Sequence, residues 1–230
     1  QKTDNLQLNL FAENTPEDTE EAKKGPSCSL STVPHKYKLI ENEQEAQEIC
    51  DYFLTKEFLS LDTETTSSDA IDAELVGLSF SVAEKEAFYV AVSANREEAL
   101  KMVNIFKPLY EDEKILKIGQ NIKFDYEVLH KYGVTLKGKF FDTMIAHYLI
   151  QPELRHNMDY MAETLLNYKT ISIESLIGAK GKQQKNMRDL LPSDIYEYAC
   201  EDADITLQLK NVLEPKLKEV EAEELFWEIE

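Results

Sequence analysis

The chain has 230 residues, 43% of them hydrophobic, with 44 acidic against 25 basic side chains and a formal net charge of −19. That suffices for one sizeable core with chain to spare, and no apolar run reaches the roughly 20 residues a membrane span needs. A charge of −19 argues against a free-standing nucleic-acid binder, since such domains are usually basic.

The start, Gln1-Lys2-Thr3-Asp4, is polar and carries no secretory signal. The missing initiator Met leads us to expect Gln1 to be an internal position of a longer protein. Residues 1–35 read as an interdomain linker. Glu13 to Lys24 is mostly polar and acidic, and Gly25-Pro26-Ser27 breaks any helix. Within it, Leu6, Leu8, Leu10 and Phe11 form a small apolar patch suited to docking on a neighbouring domain. Cys28, Cys50 and Cys200 form no Cys-x-x-Cys pair, which points to packed thiols in a reducing cytoplasm.

The compact domain is expected over residues 36–217. Residues 43–56 read as a helix, with Ala46, Ile49, Cys50 and Phe53 at helical spacing. Phe58–Glu64, Leu75–Ala83 and Ala87–Val92 read as strands, the last two joined by the charged turn Glu84-Lys85-Glu86. Short links between three strands predict an antiparallel meander. Phe58–Glu64 is apolar until its acidic end, the pattern of a central strand that delivers carboxylates at its C-terminal edge. Arg96–Tyr110 predicts a helix and Ile115–Ile118 a short strand ending at Gly119. Asn121 is a fair N-cap for a helix over Ile122–Lys131, closed by Gly133. Asp142 can cap Thr143–Ile150, and Met158–Asn167 gives another helix. Gly178–Lys185 is a basic, flexible loop. A long helix starts near Pro192-Ser193 and passes Asp202 towards Pro215. Residues 218–230 continue a helical apolar-acidic pattern to Phe226-Trp227, an aromatic pair that we expect to lead into further protein. The whole reads as an α/β domain with a mixed sheet.

Four carboxylates and a tyrosine carry the chemistry. A strand brings side chains i and i+2 to one face, so Asp62 and Glu64 converge. A helix brings i and i+4 to one face, so Tyr198 and Asp202 converge. Asp125 follows a third apolar stretch. Each acid alone is an ordinary feature of so acidic a chain. Their conjunction, each beside apolar sequence and on a suitable element, points to a site for divalent cations and to phosphodiester hydrolysis by two metal ions. In this reading Asp62 bridges both ions, Glu64 and Asp202 complete the first, Asp125 serves the second through waters, and Tyr198 orients the attacking water. A phenol with an ordinary pKa of about 10 is a poor base at neutral pH.

At these residues the chain resembles the proofreading 3′–5′ exonuclease domain of bacterial family A DNA polymerases, within the Asp-Glu-Asp-Asp superfamily with the tyrosine variant. The likeness runs from about Tyr37 to Leu217. It is carried by Leu61-Asp62-Thr63-Glu64-Thr65, Leu75-Val76-Gly77-Leu78-Ser79-Phe80, Gly119-Gln120-Asn121-Ile122-Lys123-Phe124-Asp125, Phe141-Asp142-Thr143-Met144 and Tyr198-Ala199-Cys200-Glu201-Asp202-Ala203-Asp204. Lys169-Thr170-Ile171 and Gly181-Lys182 belong to it too. The resemblance implies a ribonuclease H-like fold with a mixed five-stranded sheet flanked by helices. It implies Mg²⁺ as cofactor, two ions held by Asp62, Glu64, Asp125 and Asp202, with Mn²⁺ able to substitute. It implies release of 5′-monophosphates from single-stranded DNA 3′ ends, with Gln120, Asn121, Arg155 and the Thr65 backbone along the strand. Its implied partners are a preceding 5′-nuclease-like domain joined through residues 1–35 and a polymerase domain beginning just beyond Glu230, in a bacterial, nucleoid-associated cytoplasmic protein.

That setting would explain the acidic balance, because the polymerase would hold the duplex. Lys180, Lys182 and Lys185 are a candidate strand guide, and His156 reads as structural. Where relatives place an apolar wedge against the terminal bases, this chain has Ser68 and Ile173, which predicts activity with poor affinity. Two other readings stand beside the first: a weak or inactive domain that spaces the parts of a polymerase, and an RNA-processing exonuclease of the same superfamily.

Overall fold

The computed structural model describes residues 25–181 and 183–229. The Leu6–Phe11 patch, most of the expected linker and Lys182 lie outside the described residues. In chain order the elements are β1 (Cys28–Ser29), β2 (Lys36–Ile40), α1 (Glu43–Phe53), β3 (Phe58–Thr65), β4 (Leu75–Ala83) and β5 (Glu86–Ala91). There follow α2 (Arg96–Glu111), β6 (Leu116–Gly119), α3 (Ile122–His130), β7 (Phe140–Asp142), α4 (Thr143–Ile150) and α5 (Met158–Leu165). The chain closes with β8 (Tyr168–Lys169), α6 (Ile173–Ile177), α7 (Pro192–Glu219) and α8 (Glu223–Ile229).

The main sheet runs β2-β5-β4-β3-β6-β7, with β3 central. The expected meander is present: β3–β4 and β4–β5 are antiparallel. The pairs β2–β5, β3–β6 and β6–β7 are parallel, so the sheet is mixed. It has six strands where five were expected. The edge strand β7 is only three residues long, too short to leave a period in the sequence. A second, two-stranded sheet pairs β1 with β8. It draws Cys28–Ser29, inside the stretch read as linker, onto the domain.

The two faces of the main sheet differ in kind. One is packed with Leu59, Leu61, Phe80, Phe88 and Val90 against α1 and α2, where Phe106 stacks on Phe80 and Phe53 meets it at a tilt. The other presents Ser60, Asp62 and Glu64 of β3, Gly77, Ser79 and Ser81 of β4, and Ala87, Tyr89 and Ala91 of β5, by strand alternation and register. Against it lies α7, contributing Ala199 and Cys200 to a buried cluster with Ala87 and Tyr89. Small side chains on both sides let the helix approach the sheet closely.

Helix α7 has 28 residues and continues through Pro215 instead of ending there. Leu213 and Leu217 are buried on either side of the proline, and that packing outweighs the roughly 3 kcal/mol a mid-helix proline costs. The same helix is clamped from behind. Glu201 accepts from the Tyr168 hydroxyl at 2.7 Å and the Ile171 N–H at 2.6 Å. Asp204 accepts from the Tyr37 hydroxyl at 2.7 Å and the Lys85 N–H at 2.8 Å. Of the pair Phe226-Trp227, Phe226 is fully buried with its ring 4.8 Å from Phe141, and Trp227 is half-buried.

Candidate active site

Asp62 and Glu64 emerge near the C-terminal end of β3, where the register of the ladder shifts between Glu64 and Thr65. Helix α7 lowers Asp202 onto them. One carboxylate oxygen from each of Asp62, Glu64 and Asp202 lies within 4.8 Å of the others. Tyr198 sits one turn earlier on α7, its phenol against Asp202 and near Glu64 and Asp62. Thus four of the five expected residues converge as the i, i+2 and i, i+4 spacings require.

Asp125 stands beside this trio, not inside it. It is buried in the first turn of α3, and its Oδ1 accepts from the Thr63 hydroxyl at 2.6 Å. Thr63 points to the face of β3 opposite Asp62 and Glu64, so one short strand segment serves carboxylates on both sides. The sequence reading passed over Thr63. Its signal was its place inside Asp62-Thr63-Glu64, where alternation turns the middle residue the other way.

Burial raises every carboxylate of the group. Asp62 is lifted to about 7, chiefly by desolvation. Glu64 is pushed well above the usual range by burial, then by the charges of Asp62 and Asp125. Asp202 and Asp125 rise for the same reasons, burial first and Asp62 second. Burial, Asp202, Glu64 and Asp62 all keep the proton on Tyr198. Glu64 Oε1 and Ser79 Oγ are buried with no hydrogen-bond partner. Unpaired buried carboxylates are costly. A hard divalent cation between these oxygens removes the cost, and the donor set suits Mg²⁺ or Mn²⁺. Asp62, Glu64 and Asp202 fit such an ion, with Asp125 adjoining.

Helix α3 is aimed by a device the sequence reading saw only in half. Asp142 caps α4 as expected, accepting from Met144 N–H at 2.8 Å and Ile145 N–H at 3.3 Å. It also accepts from Ile122 N–H at 2.8 Å and Asn121 N–H at 3.2 Å, so a single carboxylate sits at the start of two helices. Asn121 is in the left-handed region (φ 61°) and makes no side-chain cap, contrary to expectation.

A cleft of about 730 Å³ opens beside Glu64. Thr65, Ser68, Ile173, Ile177, Lys180 and Lys185 are among the residues that line it. Both presumed wedge positions, Ser68 and Ile173, therefore face it. The basic loop is tied to the cleft wall, since the Asn186 amide donates to Thr66 O at 2.7 Å. Arg188 donates to the carbonyls of Val92 (2.6 Å) and Leu75, fixing the 3-10 turn Met187–Asp189.

Of the remaining candidates, Asn121 lines the cleft and is exposed. Arg155 is exposed and forms no ion pair among the described residues. The Gln120 amide is engaged: it donates to the His156 carbonyl at 2.8 Å and accepts from the Thr143 hydroxyl. His156 Nδ1 lies 2.8 Å from His147 Nδ1.

A family model described as 3′–5′ exonuclease matches residues 37–218. DNA polymerase I of Pseudomonas aeruginosa is 38% identical over 176 residues, covering 71% of this chain and 19% of that protein. DNA polymerase I of Borreliella burgdorferi is 34% identical over 205 residues, covering 88% of this chain and 22% of that protein. The chain thus spans about a fifth of the length of these curated relatives. Among solved structures, Brucella melitensis NrnC superposes with a TM-score of 0.65 at 21% identity, covering 86% of this chain and 88% of that one. The catalytic core of RRP6 from Trypanosoma brucei gives 0.69 at 16% identity, covering 89% and 52%. These two likenesses concern the fold.

Proposed function

Because this chain belongs to the 3′–5′ exonuclease family, we propose that it trims single-stranded DNA 3′ ends, releasing nucleoside 5′-monophosphates, as the proofreading part of a longer DNA polymerase. The observation that carries this reading is the meeting of Asp62, Glu64 and Asp202 oxygens within 4.8 Å, with Asp125 and Tyr198 alongside. In the proposal residues 36–217 are the nuclease, the preceding segment links to a 5′-nuclease-like domain, and residues 218–230 lead to the polymerase. No helix among the described residues is long and apolar enough to cross a membrane, and we place the protein in the bacterial cytoplasm, at the nucleoid.

Asp62, Glu64 and Asp202 would hold one Mg²⁺, with Asp62 shared towards a second served by Asp125. When bound, such a pair of ions activates a water and neutralises charge on the phosphate and leaving oxygen. Tyr198 keeps its proton, so it orients the attacking water by hydrogen bonding and is not the base. Thr63 fixes the rotamer of Asp125. The Thr65 backbone and Asn121 contact the terminal nucleotides, and Arg155 meets a phosphate. Gln120, among the expected strand contacts, contributes by holding the His156 backbone and with it the Arg155 loop.

The test is a 3′-labelled oligonucleotide with Mg²⁺ or Mn²⁺. The chain should release mononucleotides from DNA faster than from RNA, and Asp62→Ala should abolish release while leaving the circular dichroism spectrum unchanged. An intact oligonucleotide would refute the nuclease reading, and a preference for RNA would move the assignment to RNA processing.

A further inference from the structure

We infer that Tyr89 is a positioning residue for Glu64, acting across the space left open by Gly77. The inference rests on the reading of Asp62, Glu64 and Asp202 as a cation site. In the ladder of β3, β4 and β5, Glu64 pairs with Gly77 and Gly77 with Ala91; one step along, Asp62 pairs with Ser79 and Ser79 with Tyr89. Both rows lie on the sheet face beneath α7. Tyr89 does not stay in its own row. Its ring crosses Gly77 so closely that a Cβ there would be 2.1 Å from Tyr89 Cε2 and 2.3 Å from its Oη. Cβ atoms directly opposite in an antiparallel pair are about 4.5–5.5 Å apart. The Tyr89 hydroxyl therefore lies between about 2 and 8 Å from the Glu64 Cβ, a span that includes the roughly 6–7 Å a glutamate side chain and a hydrogen bond cover together.

The polar atoms in this corner are poorly matched. Among the described residues Glu64 Oε1 has no partner, nor does Ser79 Oγ, the ladder neighbour of Tyr89. Tyr89 is fully buried, yet its hydroxyl finds only the Val76 carbonyl, at 3.4 Å, the outer limit of a hydrogen bond. A phenol with an ordinary pKa of about 10 carries its proton at neutral pH, so towards a carboxylate it acts as the donor. A buried donor with a weak bond and a buried acceptor with none thus share one corner of the sheet face. When Glu64 turns one oxygen to a cation, Tyr89 supplies the donor that holds the other oxygen, as outer partners of metal ligands do.

Tyr89→Phe tests this, since it removes one oxygen and keeps the ring. Mn²⁺ binding to the 230-residue chain is measured by calorimetry, and thermal melting is followed without metal. The expected result is Mn²⁺ affinity lowered roughly tenfold, the lower end of outer-partner effects, with the metal-free Tm shifted by less than about 4 °C. Gly77→Ala, which drives the whole ring aside, should weaken Mn²⁺ binding at least as much. Unchanged Mn²⁺ affinity in Tyr89→Phe, whatever the Tm does, reduces Tyr89 to packing and overturns the inference. If the unmodified chain itself binds no Mn²⁺, the cation-site reading falls first and takes this one with it.

Discussion

Asp62 shows how one residue sets the behaviour of the site. Its carboxyl is raised to about 7 by burial, against about 3.9 in an unfolded chain. The metal-free fold therefore holds this proton more tightly than the unfolded chain does. The stability it contributes is fully present below about pH 4 and is lost as pH rises through about 7. Glu64, Asp125 and Asp202 shift in the same direction. Without metal, Tm should fall between pH 5 and pH 8, and added Mn²⁺ should restore more of it at pH 8, where the acids are ionised. Melting curves at the two pH values, with and without Mn²⁺, would show this; a metal-free Tm that climbs with pH would contradict it. At this scale the sequence was readable because i, i+2 and i, i+4 spacings translate directly into shared faces. Thr63 and Tyr89 were not readable. What they do depends on where α3 and a third strand arrive, and no local period encodes that.

Among the elements, the long periodic helices and the meander strands were legible to within a few residues. The pieces that escaped were mostly two or three residues long, such as β1, β7 and β8, or one turn, such as α6, together with the five-residue strand β2. Their backbones are ordered by partners distant in sequence. The double use of Asp142 was invisible for the same reason, since half its hydrogen bonds go to a helix twenty residues upstream. Asp142→Ala removes the acceptor from two helix starts at once. It should cost roughly 2 kcal/mol or more, the upper end for a single cap, in a denaturant titration. Activity should fall as well, because α3 carries Asp125. The α7 seam makes a second prediction. Ala199 is fully buried against Ala87 and Tyr89, so Ala199→Leu should destabilise by about 1–3 kcal/mol. Because it lifts Tyr198 and Asp202 off the sheet, it should also weaken Mn²⁺ binding; a stable variant with normal binding would show that the seam has room to spare.

For the molecule as a whole, the charge of −19 bears on how the substrate is held. Among the described residues, Arg155, Lys180 and Lys185 are exposed cations placed near the cleft or expected along the strand. Three phosphate contacts to a single strand correspond to a log–log salt slope of about −2. Anisotropy with a labelled oligonucleotide and the Asp62→Ala variant should give a slope that shallow, and one steeper than about −4 would mean a larger basic surface than these residues provide. Phe226 packs on Phe141 within this domain, a contact the sequence does not show because an aromatic that caps its own core looks the same as one that seeks a partner. The clamps behind α7 have a practical side. Tyr37 grips Asp204, and Cys28 pairs with the strand that presents Tyr168 to Glu201. A fragment trimmed to begin at residue 38 would still spell out every acid of the site, yet it would leave the helix bearing Asp202 without its front tether. Excised versions of this nuclease should therefore start ahead of Cys28.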